Sequence, residues 1–551
     1  MNKKLAAALA VVSLALAACG EAEETHTGAA TAGRISDFTE AEYDDLKQGG
    51  TVTTAVDEFP AQHIPFHESS SPVSDELWVW YNPQLTLMDP DGTWHYNPAY
   101  FDNVRSEEKA GNTVVTYKIT SEAVFNDGTP IDIAAFRNTW TALNGSDPSY
   151  PVKDIEGYER IVSIEPGASN KEVVVTFDGA YPWWQSLFPY VIHPAIDTPE
   201  AFATAYQGQI PAQYGAGPYT IDSADITAGQ IVFVPNSAWW GNDGKLDKRI
   251  FKTMDDDAAF EGLMQGQLDV ADVQDAAALA EAKKASGIDI YRGRKTELSF
   301  LVLNSANPIL ADSQVREAIA ASIDRSNLAF VLFKDTEYSE DAPGSMMTMP
   351  LRSGYSDNYS KAVRFNQERA ANLLEEEGWT EGSNGIREKD GQRLEFVFII
   401  DESDPVAEAQ AGAIREDLKG VGINLIVDKR SPSDVAQALD DRQFDIVPLT
   451  MDYEDPYGVE YLERFYGTSS TLNVSGTSTF ELDTRIADLD KLETVDEQTR
   501  RANDIELEAF KRFGVIPLVN GQDTVAAKDG LANMGIMGFA SIAVENIGYV
   551  K

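Results

Sequence analysis

Strand and helix signals alternate along the second half of the chain, and nothing else in the sequence restricts the fold as much. Leu298 to Asn304 is an apolar run of strand length. Gln314 to Ile323 carries Val315, Ala318, Ile319 and Ile323 at the spacing of one helix face. Asn366 stands where an N-cap belongs for a helix over Gln367–Glu377, and Gly378 where that helix would stop. Leu394 to Ile400 reads as a strand, a helix through Leu418 ends at Gly420, and Val421 to Val427 is the next strand. Ser431-Pro432-Ser433-Asp434 supplies an N-cap, a proline at N1 and an acid at N3. That helix leads into a strand at Phe444-Asp445-Ile446-Val447. Asp496 is expected to cap a long last helix reaching about Phe513, with Gly514 stopping it and Val515–Val519 returning to a strand. Strands separated by helices of this length form βαβ units, so an α/β fold with a largely parallel sheet is expected.

The first half is less regular. Thr51–Val56 follows the Gly49-Gly50 breaker as a strand, and Val114–Ile119 alternates as a half-buried one. Phe125-Asn126-Asp127-Gly128-Thr129-Pro130 is turn chemistry before a helix over Ile131–Leu143. Val173–Phe177 and Ile231–Val234 are further strands, with a kinked turn at Gly215-Ala216-Gly217-Pro218-Tyr219 between them. No internal repeat is visible. A chain of 551 residues holds roughly three to four domains at about 150 residues each.

The N-terminus carries an address. Lys3 and Lys4 precede an apolar stretch, Leu5 to Ala17, broken only by Ser13. It is too short to span a bilayer and has the size of a signal-peptide core. It ends in Leu16-Ala17-Ala18-Cys19-Gly20, which resembles the lipobox of bacterial lipoproteins. The resemblance implies cleavage before Cys19 and lipidation of that residue, the single cysteine of the chain. An ordinary secretory signal with a chance cysteine is the plainer alternative. Residues 20–48 are rich in Gly, Ala, Thr and acids and read as a flexible tether. The expected picture is an extracytoplasmic body anchored to a bacterial membrane by lipid, since no membrane-spanning run follows.

Charge and motifs exclude several classes. A formal net charge of −45 argues against nucleic-acid binding. One cysteine permits neither an intrachain disulfide nor a cysteine-based zinc site. There is no P-loop, no H-E-x-x-H and no G-x-S-x-G. His63 and His67 have i,i+4 spacing, but Pro65 between them opposes a helix, so unrelated imidazoles are the simpler reading than a metal pair. With 89 Asp and Glu, a glycosidase-like carboxylate pair carries almost no signal. Tryptophan doublets stand out: Trp78/Trp80, Trp183-Trp184 and Trp239-Trp240. They suit either a ligand pocket or an ordinary core.

Several motifs, taken together and in order, resemble one family. Phe125–Pro130 with Phe136 is similar to the F-x-D-G-T-P…F signature of family 5 extracellular solute-binding proteins, the peptide-binding components of ABC importers. Gly215–Tyr219 is similar to their G-T-G-P-Y turn, with Ala216 departing from threonine. Asn304, Val315-Arg316-Glu317-Ala318-Ile319 and Ile323-Asp324-Arg325 follow the family pattern, as do Asn366–Trp379 and Asp452-Tyr453-Glu454-Asp455-Pro456. The matches span about residues 50–520. The resemblance implies a periplasmic-binding-protein-like α/β fold of the cluster C type: two lobes of discontinuous segments, a two-strand hinge and an inserted subdomain. On this chain the base lobe would be 49–82, 215–297 and 516–551, the insert 83–214 and the second lobe 298–515. Ligand would lie between the lobes, with the carboxylate of Asp452 pairing with a peptide's α-ammonium group and Tyr453, Trp239 and Trp240 nearby. Partners implied are a peptide and the permease subunits of a transporter; no cofactor or metal, no catalysis and a monomer are expected. The alternatives are the same scaffold carrying a metal chelate, sugar or haem, or an extracytoplasmic hydrolase.

Overall fold

The computed structural model of the protein describes residues 34–334, 336, 338–453 and 458–551. Cys19 and the Glu454-Asp455-Pro456 part of the D-Y-x-x-P segment lie outside the described residues.

Two large cores organise the described chain, beside a small third one around Leu263, Leu268, Leu279 and Ala526. The first joins a four-stranded sheet in the order Thr51–Val56, Lys248–Thr253, Gln230–Pro235, Tyr219–Asp225 to a second, antiparallel sheet built from Phe101–Lys109, Asn112–Ile119, Glu172–Phe177 and Ile161–Pro166. Trp78, Trp80, Phe136, Phe177, Phe233 and Phe251 fill the space they share. The second core surrounds a five-stranded sheet in the order Asn424–Arg430, Glu395–Asp401, Ile446–Asp452, Glu297–Leu303, Val515–Val519. Leu301, Ile319, Phe398, Ile414, Ile505 and Ile516 are buried in it. Helices flank this sheet because their apolar stripes have nowhere else to go: Ser313–Ser322 buries Val315, Ala318 and Ile319, and Val495–Phe510 buries Ala502, Ile505 and Ala509.

The chain crosses between the two bodies twice, at Arg294–Glu297 and at Val519–Gln522. The same two segments pair on both sides of the crossing. Ile288–Arg294 is antiparallel to Gln522–Lys528, and Glu297–Leu303 is antiparallel to Val515–Val519. Lys295 N donates to Gly521 O at 3.0 Å between them.

Four sequence expectations are corrected. The large sheet is mixed, not largely parallel: Glu395–Asp401 is parallel to both its neighbours, while Glu297–Leu303 is antiparallel to both of its own. The parallel strands come from βαβ units. The two crossing strands run one out and one back, so they lie antiparallel without any crossover helix. The last helix is capped by Thr494, whose Oγ1 accepts from Glu497 N at 3.3 Å, rather than by Asp496. It ends at Phe510, and Phe513 takes the left-handed turn at φ +56°. Gly514 is required instead by close approach, since a Cβ there would sit 2.4 Å from Thr477 Oγ1. The strand expected from Val421 starts at Asn424, because Val421 closes the preceding helix and Gly422 turns at φ +85°. Finally, residues 34–48 belong to the folded body, not to a tether. Asp37–Phe38 pairs with Gly535–Ile536, and Leu46 is 1% exposed and bridges to Val550. Buried Ile35 and Leu46, with the backbone bonds from Lys47 N to Tyr549 O and from Asn533 N to Thr39 O, hold this otherwise polar segment in place.

Candidate functional site

Asp401, Arg430 and Asp452 are the last residues of the three mutually parallel strands, and so lie at one edge of the sheet. The carboxyl ends of parallel strands are where open α/β sheets bind ligands, because loops there diverge and leave a crevice. Asp452 is exposed and pairs in register with Glu297, the first residue of the crossing strand. Its carbonyl accepts from Tyr461 Oη at 3.2 Å. Tyr453 is buried at 3% exposure and acts as the anchor. Its N donates to Thr296 O at 2.7 Å and its Oη to Ser345 O at 2.9 Å. The chain thus holds Asp452 beside the crossing between the bodies.

Acidic groups continue through that crossing. Lys295 Nζ lies 3.4 Å from Glu297 Oε1 and 3.7 Å from Asp523 Oδ1. Burial pushes the Asp523 carboxyl up to about 6; Lys295 opposes the shift, and Asp272 and Glu297 add to it. Arg294 is buried, with Nη1 donating to Asn520 Oδ1 at 3.0 Å and standing 3.8 Å from Glu340 Oε2. Glu340 accepts from Asn520 N at 2.8 Å, and burial raises its pKa despite Arg294.

A cavity of about 560 Å³ opens in the first body beside this group. The end of the strand Thr51–Val56, one face of the helix Pro72–Tyr81 and the segment 533–547 enclose it. Arg249 forms part of its wall and is 1% exposed. Its Nη2 donates to Thr54 Oγ1 at 2.7 Å and lies 3.5 Å from Glu76 Oε1, and its Nη1 donates to Ile250 O at 2.9 Å. The guanidinium lies 3.7 Å from the Phe251 ring centre and 5.1 Å from that of Trp80. Burial lowers its pKa to about 10. Glu76 also lines the cavity and keeps 48% of its side-chain surface accessible. Burial raises the pKa of Glu76, and of Asp272 with the help of Asp256 and Asp57.

Of the residues singled out in the sequence, Asp452 and Tyr453 stand together at the crossing. Trp239 and Trp240 are taken up in packing: both lie against Tyr100, at 5.5 and 5.4 Å between ring centres. Their indole N–H groups donate to Asn242 O and Ala99 O, and neither residue lines the cavity. Trp80 does line it. Sequence reasoning missed Arg249 altogether. Its signal was a charge on a strand whose next residues, Ile250 and Phe251, are apolar. His67 stacks on Phe202 at 5.8 Å, with Nδ1 accepting from Ser69 N, and His63 is buried; no cluster of three or more metal-ligating side chains occurs among the described residues.

The motif residues build scaffold. Asn126 N donates to Gly215 O and Asn126 Nδ2 to Ala212 O, which docks the first motif on the second. Arg316 donates to the carbonyls of Leu310, Ala311 and Arg512, and Arg325 to those of Pro343 and Pro517.

Residues 96–473 match the family model of bacterial extracellular solute-binding proteins, family 5 (middle region). The chain belongs to this family. The family 5 chain is 28% identical over 559 residues to the oligopeptide-binding protein OppA of Mycobacterium tuberculosis, covering 98% of this chain and 93% of that one. Among solved structures it resembles the periplasmic EDTA-binding protein EppA (TM-score 0.81, 22% identity, 93% of this chain and 98% of that one). It also resembles the oligopeptide-binding protein AppA of Bacillus subtilis in complex with a nonapeptide (TM-score 0.67, 18% identity, 92% and 100%). At these identities the structural likeness is one of fold. No helix among the described residues is long and apolar enough to cross a membrane.

The two bodies of this family 5 protein also touch away from the crossing. Trp183 Nε1 donates to Gln498 Oε1, and Arg160 Nη1 lies 3.9 Å from Asp490 Oδ2. The guanidinium of Arg352 stacks 4.4 Å from the Phe539 ring centre. The two bodies therefore meet at the two-strand crossing and at these contacts.

Proposed function

We propose that this family 5 protein captures peptides between its two bodies and delivers them to the permease of an ABC importer, held outside the cytoplasmic membrane by lipid on Cys19. The lobes would be 49–82, 215–297 and 516–551 for the base, 83–214 for its insert and 298–515 for the second lobe, each side having its own core. The observation that carries the peptide assignment is the position of Asp452. It is an exposed carboxylate at the carboxyl end of a parallel strand, at the crossing, held there by buried Tyr453. A peptide's α-ammonium group enclosed by closure needs a fixed counter-charge, since desolvating it unpaired would prevent binding. Similarity to an oligopeptide-binding protein over 98% of the chain supports the same cargo.

Calorimetry with short peptides tests this. Asp452→Asn is expected to cost about 2–5 kcal/mol in affinity, the range for removing one partner of a buried charge pair. N-acetylated peptide should bind the wild type correspondingly weakly. If Asp452→Asn binds free and acetylated peptides as tightly as the wild type binds free peptide, the amino-terminal anchor is wrong. For the anchor, Cys19→Ala should leave the protein unprocessed or release it from membranes; a variant that is processed and sediments with membranes as the wild type does would refute lipidation.

A further inference from the structure

The cavity beside Trp80 bears on which side chains the protein accepts. Among the described residues that line it, five are carboxylates, Asp57, Asp75, Glu76, Asp256 and Asp272, and one is a cation, Arg249. Arg249 is already engaged with Thr54, Ile250 and Glu76. Burial, Asp256 and Asp57 disfavour the charge of Asp272, with Lys295 opposing them, and no other lysine or arginine among the described residues lines the wall. An occupant that carries positive charge relieves this repulsion; an anionic one adds to it.

The rest of the wall is apolar, with Val79, Trp80, Tyr190, Met254, Met534 and Ile542. Aliphatic stems with a charged tip suit such a wall: the methylenes lie on apolar surface, aromatic faces attract the cation, and the tip reaches carboxylate. A lysine or arginine side chain of a peptide supplies both parts, the aliphatic stem and the charged tip.

The acids also connect to the proposed anchor. Asp272 interacts with Lys295 and Asp523, Lys295 bridges Asp523 and Glu297, and Glu297 pairs in register with Asp452. A peptide fixed at Asp452 would thus have an acidic path leading toward the cavity.

We propose that this cavity is a specificity pocket for a lysine or arginine side chain of the bound peptide, so that basic peptides are preferred over neutral and acidic ones. This rests on the peptide assignment above. The test is calorimetry on the full soluble protein with alanine pentapeptides carrying one lysine, methionine or aspartate, placed at each position in turn. At one position lysine should bind about tenfold or more tighter than methionine, and aspartate weaker still. Asp272→Asn and Asp57→Asn, checked for unchanged melting, should each reduce the lysine-to-methionine affinity ratio at that position by about tenfold. Equal binding of lysine and methionine peptides at every position would overturn the pocket and leave the peptide assignment standing. So would an unchanged ratio in both variants. Binding of Fe(III)-EDTA with no binding of any peptide would overturn both.

Discussion

Glu506 illustrates what a single residue does beneath Tyr453. It is 0% exposed. Its Oε1 accepts from Ser345 Oγ at 3.0 Å and Met346 N at 2.6 Å, and its Oε2 from Asn358 Nδ2 at 2.7 Å. Ser345 in turn offers its carbonyl to Tyr453 Oη, so a buried carboxyl holds the loop on which the anchor beside Asp452 rests. Tyr453 and Tyr466 are packed near enough to feel its charge. Burial outweighs the hydrogen bonds and pushes Glu506 up to about 7. A carboxyl whose folded pKa is raised favours the protonated folded state. Its contribution is complete below the ordinary value near 4.5 and is lost as pH rises through about 7, a change of about 3 kcal/mol. Glu506→Gln should therefore flatten the decline in stability between pH 5 and pH 8, read as urea midpoints at both. Equal declines in wild type and variant would refute it.

At the scale of elements, the glycines of the turn at 215–219 are explained by one close approach. Ala216 N and Gly217 N donate to Tyr81 O at 2.8 and 3.1 Å, which ties the turn to the end of the helix Pro72–Tyr81. A Cβ on Gly215 would lie 2.6 Å from that same oxygen, and backbone has little room to yield. Gly215→Ala is expected to destabilise the protein by about 1–3 kcal/mol, as overpacking does. Chemical denaturation measures this, and a variant as stable as the wild type would show that the turn can shift. Arg316 makes the companion case. Its guanidinium fork holds carbonyls at the end of one loop and beyond the last helix, from Leu310 to Arg512. Lysine offers one point charge in place of a fork, so Arg316→Lys should lose about 1–3 kcal/mol by the same measurement.

For the whole molecule, the contacts Trp183–Gln498, Arg160–Asp490 and Arg352–Phe539 join the two bodies, and with ligand enclosed between the bodies as proposed they should favour a closed form over an open one. A ligand enclosed by both bodies binds the closed form better, so weakening these contacts must weaken binding without touching the ligand. Trp183→Ala removes a hydrogen bond worth about 0.5–1.5 kcal/mol, and up to about tenfold in affinity should go with it. Small-angle scattering of the variant without ligand should show a larger radius than the wild type. Saturating peptide should stabilise the wild type by about 2.7 kcal/mol at a hundredfold excess over Kd. Scattering curves of the variant and wild type that superimpose would count against the latch.

The element order, the two-body α/β architecture and the family were legible from local signals: helix faces, caps, turn motifs and their sequence along the chain. Asp452 and Tyr453 could be singled out by the same kind of signal, one short motif, and the structure places both beside the crossing. Strand direction at the crossing was not, because no local pattern says that two strands of one sheet arrive from another body. The packed state of residues 34–48 was not either, since two apolar side chains become anchors only when a distant segment, 535–550, is brought against them. The same holds for the cavity. Trp80, Arg249, Asp272 and Met534 are far apart in sequence, and only folding places them on one wall. Local chemistry determines which element a residue joins; which residues share a site depends on how distant segments pack, and that is decided in three dimensions.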